Sequence, residues 1–261
     1  MPTLPIYQVD AFTDHLFGGN PAAVCFLDQW PGDRILQNIA SENNLSETAF
    51  LLRDHDGFEL RWFTPTLEVD LCGHATLAAA HVLFNIKNHS GPEIRFKTRS
   101  GQLEAIRNGH KIVLDFPADP PRPTAVIPGL FDALGLSEGL MYRGKTDLMV
   151  VVEDENTVLT LSPQFPQLRN FGDRGVIVTA PGKNSDFVSR FFAPGSGIDE
   201  DPVTGSAHCT MTPYWSERLG KTTLEAIQMS PRGGAVHCEL VGDRVKLTGT
   251  AVTYLSGNIS W

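Results

Sequence analysis

The sequence predicts an α/β protein built as two copies of one unit, each a sheet curled around a central helix. Three observations predict it: motifs that recur in the same order in both halves, an almost wholly apolar helical segment, and a hairpin closing each copy. Ordered self-similarity is the mark of a duplicated fold. Arg61-Trp62-Phe63-Thr64-Pro65, then Glu68 and Cys72-Gly73-His74-Ala75, is answered by Arg190-Phe191-Phe192-Ala193-Pro194, then Glu200 and Thr204-Gly205-Ser206-Ala207. Upstream, Glu47-Thr48-Ala49 matches Val178-Thr179-Ala180, which makes Val178 the expected counterpart of Glu47.

Taken in order, the first copy opens with strands at Ile6–Ala11 and Ala22–Leu27. Ile35, Leu36 and Ile39 give Asp33–Glu42 the spacing of a short amphipathic helix. Strands at Glu47–Leu52 and Leu60–Phe63 follow. The segment His74–Phe84, HATLAAAHVLF, has almost no polar face and reads as a helix surrounded by protein, with Ala75, Ala78, Ala79 and Ala80 admitting strands at close range. Gly101–Leu114 and Gly234–Leu247 read as hairpins turning at Gly109 and Gly242. Pro213, inside the second central helix, is expected to kink or shorten it. The proline-rich stretch Asp115–Pro123 marks the boundary. The halves are therefore residues 1–117, joined by a last strand at about 250–261, and residues 118–249.

Bulk composition narrows the function. In 261 residues the hydrophobic share is 41% and the charged share 20%, ordinary for a globular chain. A net charge of −9 argues against a nucleic-acid partner or an acidic membrane surface. No apolar run approaches the roughly 18 residues that would span a bilayer, and the first residues show no signal-peptide pattern. Cys25, Cys72, Cys209 and Cys238 are scattered. They read as free thiols of a cytoplasmic protein.

A helix that starts after a glycine presents unpaired N–H groups with the positive end of the dipole behind them, and so attracts an anion. This occurs at Gly73-His74-Ala75 and at Gly205-Ser206-Ala207. If the copies face each other across a cleft, the expected ligand is a small metabolite bearing a carboxylate. His74 and Asp201 stand at these starts as acid–base candidates, with His74 able to move a proton near neutral pH. Glu47 stands at a strand start, and spacing alone does not select it. A zinc site from Cys72, His74, His208 and Cys209 fits no common spacing and is not expected. Nucleotide loops and the serine-hydrolase elbow are absent from the sequence.

Five segments in order, Gln8-Val9-Asp10-Ala11-Phe12, Gly19-Asn20-Pro21-Ala22-Ala23-Val24, Asn44-Leu45-Ser46-Glu47-Thr48-Ala49-Phe50, Asp70-Leu71-Cys72-Gly73-His74-Ala75-Thr76 and Glu200-Asp201-Pro202-Val203-Thr204-Gly205-Ser206-Ala207-His208, resemble the PhzF family of phenazine-biosynthesis-like isomerases. The resemblance implies the diaminopimelate-epimerase-like fold of two pseudo-symmetric halves. It also implies a homodimer and a biosynthetic isomerase that works without metal or organic cofactor. By the same resemblance Glu47 is the acid–base, supported by His74, Asp201 and Ser206. Epimerases of this fold place a cysteine at each helix start; here Cys72 is matched by Thr204. A threonine hydroxyl is too weak an acid to act as a second base unaided. The expected chemistry is thus a one-base proton transfer at carbon by Glu47. The alternatives are a Cys72-dependent epimerase and a non-catalytic small-molecule-binding protein.

Overall fold

The computed structural model describes residues 3–171 and 174–261. They form strands β1 (Thr3–Ala11) and β2 (Asn20–Leu27), helix α1 (Asp33–Asn43), β3 (Glu47–Asp54), β4 (Gly57–Phe63), β5 (Glu68–Val69), α2 (Gly73–Asn85), β6 (Glu93–Thr98), β7 (Gly101–Asn108) and β8 (Lys111–Pro117). Next come β9 (Arg122–Pro123), α3 (Leu130–Leu134), β10 (Leu140–Arg143), β11 (Asp147–Val151), α4 (Glu155–Leu159), α5 (Phe165–Leu168), β12 (Gly175–Pro181), β13 (Phe187–Ala193) and a 3₁₀ turn at Pro194–Ser196. The chain ends with β14 (Ile198–Asp201), α6 (Gly205–Leu219), β15 (Thr223–Gln228), β16 (Gly234–Val241), β17 (Arg244–Gly249) and β18 (Ala251–Ser260). Two compact units result: residues 1–115 with 248–261, and residues 116–247.

Within the first unit the pairings run β1–β2 antiparallel, β2–β3 parallel, β3–β4 antiparallel, β4–β6 parallel and β6–β7 antiparallel. The second unit repeats this alternation as β10–β11, β11–β12, β12–β13, β13–β15 and β15–β16. β18 returns to the first unit and pairs antiparallel with β1 along its whole length, from Thr3 opposite Ser260 to Ala11 opposite Ala251. Gly109 and Gly242 occupy the hairpin turns with φ of +62° and +61°, a region where a side chain would be strained.

Ladder register corrects one sequence expectation. Thr48 lies opposite Phe63, and Val176 lies opposite Phe192. Ala22 pairs with Glu47, and Asp147 with Gly175. With the two Arg-x-Phe segments superposed, the counterpart of Glu47 is therefore Gly175 and not Val178. The matching Thr-Ala dipeptides were a local coincidence; backbone pairing with the neighbouring strand decides equivalence. Gly175 is also closed to any side chain, because an added Cβ would come within 2.4 Å of the Phe191 ring.

α2 is enclosed as its composition demands. Every residue from Gly73 to Phe84 is buried except His81, and the helix packs against β1, β2, β3, β7 and β18 of its own unit. Ala75, Ala78, Ala79 and Ala80 are fully buried. Enlarging any of them would overpack the core, at about 1–3 kcal/mol. On the opposite face of this sheet, Ala23, Cys25 and Leu27 pack with Leu4, Ile6 and the apolar stripe Leu36, Ile39 and Ala40 of α1. The second unit has its own core, in which Leu148, Val150, Val176, Val178 and Phe192 meet Leu130, Leu134, Val158 and Leu168 from the short helices.

Pro213 does not break α6, which runs through it from Gly205 to Leu219. A proline in a helix removes the N–H that would bond the carbonyl four residues back. That carbonyl belongs to Cys209, and Asp119 N–H supplies the missing hydrogen bond at 3.1 Å. The proline-rich segment before β9 thus satisfies the carbonyl that Pro213 leaves without its helical partner.

The repeated arginine and glutamate also acquire a physical meaning. Arg61 donates Nε and Nη2 to the two oxygens of Glu68, both at 2.7 Å. Arg190 forms the same fork with Glu200, at 2.7 and 2.8 Å. In each unit this bidentate pair ties the end of one strand to the short strand that leads into the central helix, a geometry only a planar guanidinium supplies.

Candidate active site

α1 ends at Asn44, whose φ of 49° turns the chain sharply so that Glu47 enters the first position of β3. The Arg61–Glu68 fork and the turn closed by Thr64 N–H to Leu67 O at 2.8 Å then deliver the chain to Cys72. Cys72 is extended (φ −144°, ψ 111°), and α2 starts immediately after it with no side-chain cap. Thr204 before α6 has the same extended form (φ −112°, ψ 99°), and this helix start also lacks a side-chain cap.

The first helix start assembles four predicted residues. Glu47 Oε2 lies 3.1 Å from His74 Nε2, and the two side chains are 13% and 4% exposed. This approach is off the line of a hydrogen bond, so the buried Oε2 carries no hydrogen-bond partner. Cys72 Sγ is 3.6 Å from His74 Nδ1. Gly73, between them, is buried at the first position of the helix. Asn20, fully buried at the start of β2, places Nδ2 3.1 Å from His74 Nδ1. With the amide donating, the ring proton sits on Nε2, facing Glu47; protonating Nδ1 as well requires the amide to turn its oxygen toward the ring.

Burial alone would depress His74, but Cys72 and Glu47 reverse this and hold it well above the ordinary histidine value. Burial pushes the Cys72 thiol up to about 11, with the Glu47 charge adding and His74 opposing. Cys72 is therefore a thiol at neutral pH, and the anion that favours the imidazolium is Glu47.

In the second unit Asp201 Oδ2 accepts the Thr204 hydroxyl at 2.5 Å. Gln228, fully buried, accepts Thr204 N–H at 2.8 Å and donates to Asp201 O at 2.7 Å. Gly205 is buried at the first position of α6. Ser206 Oγ accepts from Arg174 Nη1 at 2.7 Å, and Arg174 Nε donates to Asp147 Oδ1 at 2.9 Å. By ladder register Asp147 and Gly175 correspond to Ala22 and Glu47, so Arg174 stands one residue before the Glu47 position.

Asn20, Arg174 and Gln228 carried no role in the sequence reading. Asn20 and Arg174 each begin or precede a strand, and the duplication would have pointed to Arg174 had the register been right. Gln228 offered no sequence signal. His81 is partly buried and bonds Thr253 Oγ1 at 3.0 Å, away from the Glu47 cluster. His208 is buried inside α6 and bonds Thr204 O at 2.8 Å. Neither it nor Cys209 belongs to the one group of potential metal ligands among the described residues, Glu47, Cys72 and His74. No described helix is long and apolar enough to cross a membrane.

The family model for phenazine biosynthesis-like proteins matches residues 9–257. The chain belongs to the PhzF family. An uncharacterised isomerase of Pseudomonas aeruginosa is 52% identical to this PhzF-family chain over 256 residues, 98% of each. A human phenazine biosynthesis-like domain-containing protein is 41% identical, over 98% of this chain and 99% of its own. The crystal structure of a PhzF-family protein of Enterococcus faecalis superposes with a TM-score of 0.96 at 46% identity, covering 100% of both chains. A hydroxyproline epimerase of Agrobacterium vitis shares the fold alone, with a TM-score of 0.65 at 12% identity over 98% of this chain and 92% of that one. Membership places the chain among isomerases with the epimerase-like fold that the family resemblance implies.

Proposed function

We propose that this PhzF-family protein isomerises a small carboxylate-bearing metabolite by a one-base proton transfer at carbon, with Glu47 as the base. The observation that carries it is the buried Glu47 Oε2, 3.1 Å from His74 Nε2 and without a hydrogen-bond partner of its own. Such an oxygen keeps a lone pair for a substrate proton, and His74 lies beside it. Glu47 takes the proton from one carbon, the C–H electron pair moves into the adjoining unsaturated system, and the same carboxyl group returns the proton to a second carbon. Donors near the site stabilise the intermediate charge. His74, Asp201 and Ser206 keep the supporting role implied by the family resemblance, and Gly73 and Gly205 that of glycine-led helix starts. No cofactor enters the scheme.

Two features support one base over two. The Thr204 hydroxyl is committed as a donor to Asp201. Cys72, the base of the competing epimerase reading, is held at about 11 and is almost wholly protonated at neutral pH. The test is incorporation of solvent deuterium into a mixture of small carboxylic acids, read by mass spectrometry. Label incorporation by the wild type and its loss in Glu47→Gln support the proposal. Wild-type labelling by Glu47→Gln overturns it, and no labelling by the wild type favours a binding protein.

A further inference from the structure

We propose that Asn20 is a positioning residue that keeps a proton on His74 Nε2, so that His74 faces Glu47 as a donor and never as a second base. The ring form is a property of the buried histidine itself; its value to the reaction rests on the function proposed above.

The ring is held from both ends. Glu47 Oε2 is 3.1 Å from Nε2. At Nδ1 stand Asn20 Nδ2, at 3.1 Å, and Cys72 Sγ, at 3.6 Å. Chain geometry brings these groups together. Gly19, with φ of +58°, leads into β2, and an added Cβ there would come within 2.1 Å of Ala11 O. This tight entry sets Asn20 opposite Ala11, fully buried. Two residues further along β2, Ala22 pairs with Glu47 at the start of β3. Asn20 and Glu47 thus sit at one end of two neighbouring strands, and both reach the His74 ring in the first turn of α2.

A neutral imidazole has one N–H and one lone pair, and the partner of one nitrogen decides the state of the other. Asn20 donating to Nδ1 leaves the ring proton on Nε2. Burial opposes a second ring proton, whereas Cys72 and Glu47 favour it. When that proton arrives, the amide turns its oxygen to the new Nδ1–H, and Nε2 stays protonated. Asn20 therefore acts against one form, the neutral ring with Nδ1–H and a bare Nε2.

Ionised Glu47 disfavours that form by itself, because two lone pairs would face each other. Glu47 that has taken a substrate proton no longer does. A bare Nε2 would then accept this proton, and Glu47 would have nothing to return to the second carbon. With Nε2 occupied, the proton stays on the carboxyl group. The titratable groups against the ring are Glu47 from β3 and Cys72 at the helix start. Asn20 is neutral, so it holds the ring form without adding charge to the site.

Nitrogen-15 NMR of histidine-labelled protein separates the ring forms, with His74→Gln assigning the signals. Glu47→Gln imitates the carboxyl group after proton uptake. With Asn20 intact, this variant is expected to keep the neutral His74 proton on Nε2. Adding Asn20→Leu should make the Nδ1–H form appear, and adding the isosteric Asn20→Asp, which only accepts, should make it or the doubly protonated ring dominate. Circular dichroism identifies a variant that fails to fold, and Asn20→Ser then replaces Asn20→Leu. The Nε2–H form persisting alone through every Asn20 variant overturns the proposal. Release of Nδ1–H by Cys72→Ala, and not by Asn20→Leu, overturns it too, since the thiol would then hold the ring. In the otherwise intact chain Asn20→Leu should lower deuterium incorporation by about a hundredfold. Undiminished incorporation with an altered ring form overturns the catalytic value of Asn20. If Glu47→Gln alone incorporates deuterium normally, the acid–base reading fails, and the ring form still decides the role of Asn20.

Discussion

Arg174 Nη1 donates to Ser206 Oγ at 2.7 Å. At the matching place in the other unit, Glu47 approaches His74 at 3.1 Å. One unit thus sets an anion against the first turn of its central helix, and the other sets a cation. The duplication is intact in its strands and inverted in charge at its helix starts.

Because Ser206 Oγ accepts from Arg174, its own proton is free to be donated elsewhere. Arg174→Met should weaken binding of simple carboxylates such as benzoate by about tenfold, while the neutral benzamide is unaffected. Calorimetric titration checks this, and equal losses for both ligands would indicate a collapsed site instead.

The Arg190–Glu200 fork is mostly buried, with side chains 11% and 13% exposed. Arg190 also donates to Leu161 O at 2.9 Å. Removing one partner of such a pair strands the other, so Arg190→Met should cost about 3–5 kcal/mol in urea unfolding. Adding Glu200→Gln to that variant should recover part of the loss, and simple additivity would show the pair to be uncoupled.

His208 is pushed down to about 4 by burial, against the carbonyl of Thr204, and its Nε2 has no hydrogen-bond partner. The folded protein therefore resists protonation that the unfolded chain accepts near 6.5. The neutral histidine's contribution is complete above about pH 6.5 and is lost as pH falls toward 4, with the unfolded state gaining one more proton there. For a fully buried ring this amounts to about 3 kcal/mol. His208→Gln should flatten the pH dependence of the melting temperature between pH 6.5 and 4.5; an unchanged slope would assign the acid sensitivity elsewhere.

Cys72 lies against His74 but is held as a thiol, so Cys72→Ala should retain at least about a third of the deuterium-incorporation rate. Loss of more than about a hundredfold would return the chemistry to the cysteine.

The sequence by itself determined the duplication, the enclosed helix and the two hairpins. Each is written in local pattern: an alanine-rich segment with no polar face buries itself, and a glycine takes the left-handed turn. Glu47 came from the family resemblance, since a carboxylate at a strand start has no pattern of its own. Tertiary structure alone decided that its counterpart is Gly175, because register depends on which carbonyl meets which N–H across a ladder. It also decided that Asp119 lets α6 run through Pro213, that Asn20 reaches the His74 ring from 54 residues away, and that Arg174 holds Ser206. These are long-range pairings of ordinary polar residues, and chain order carries no trace of a partner brought close only by folding.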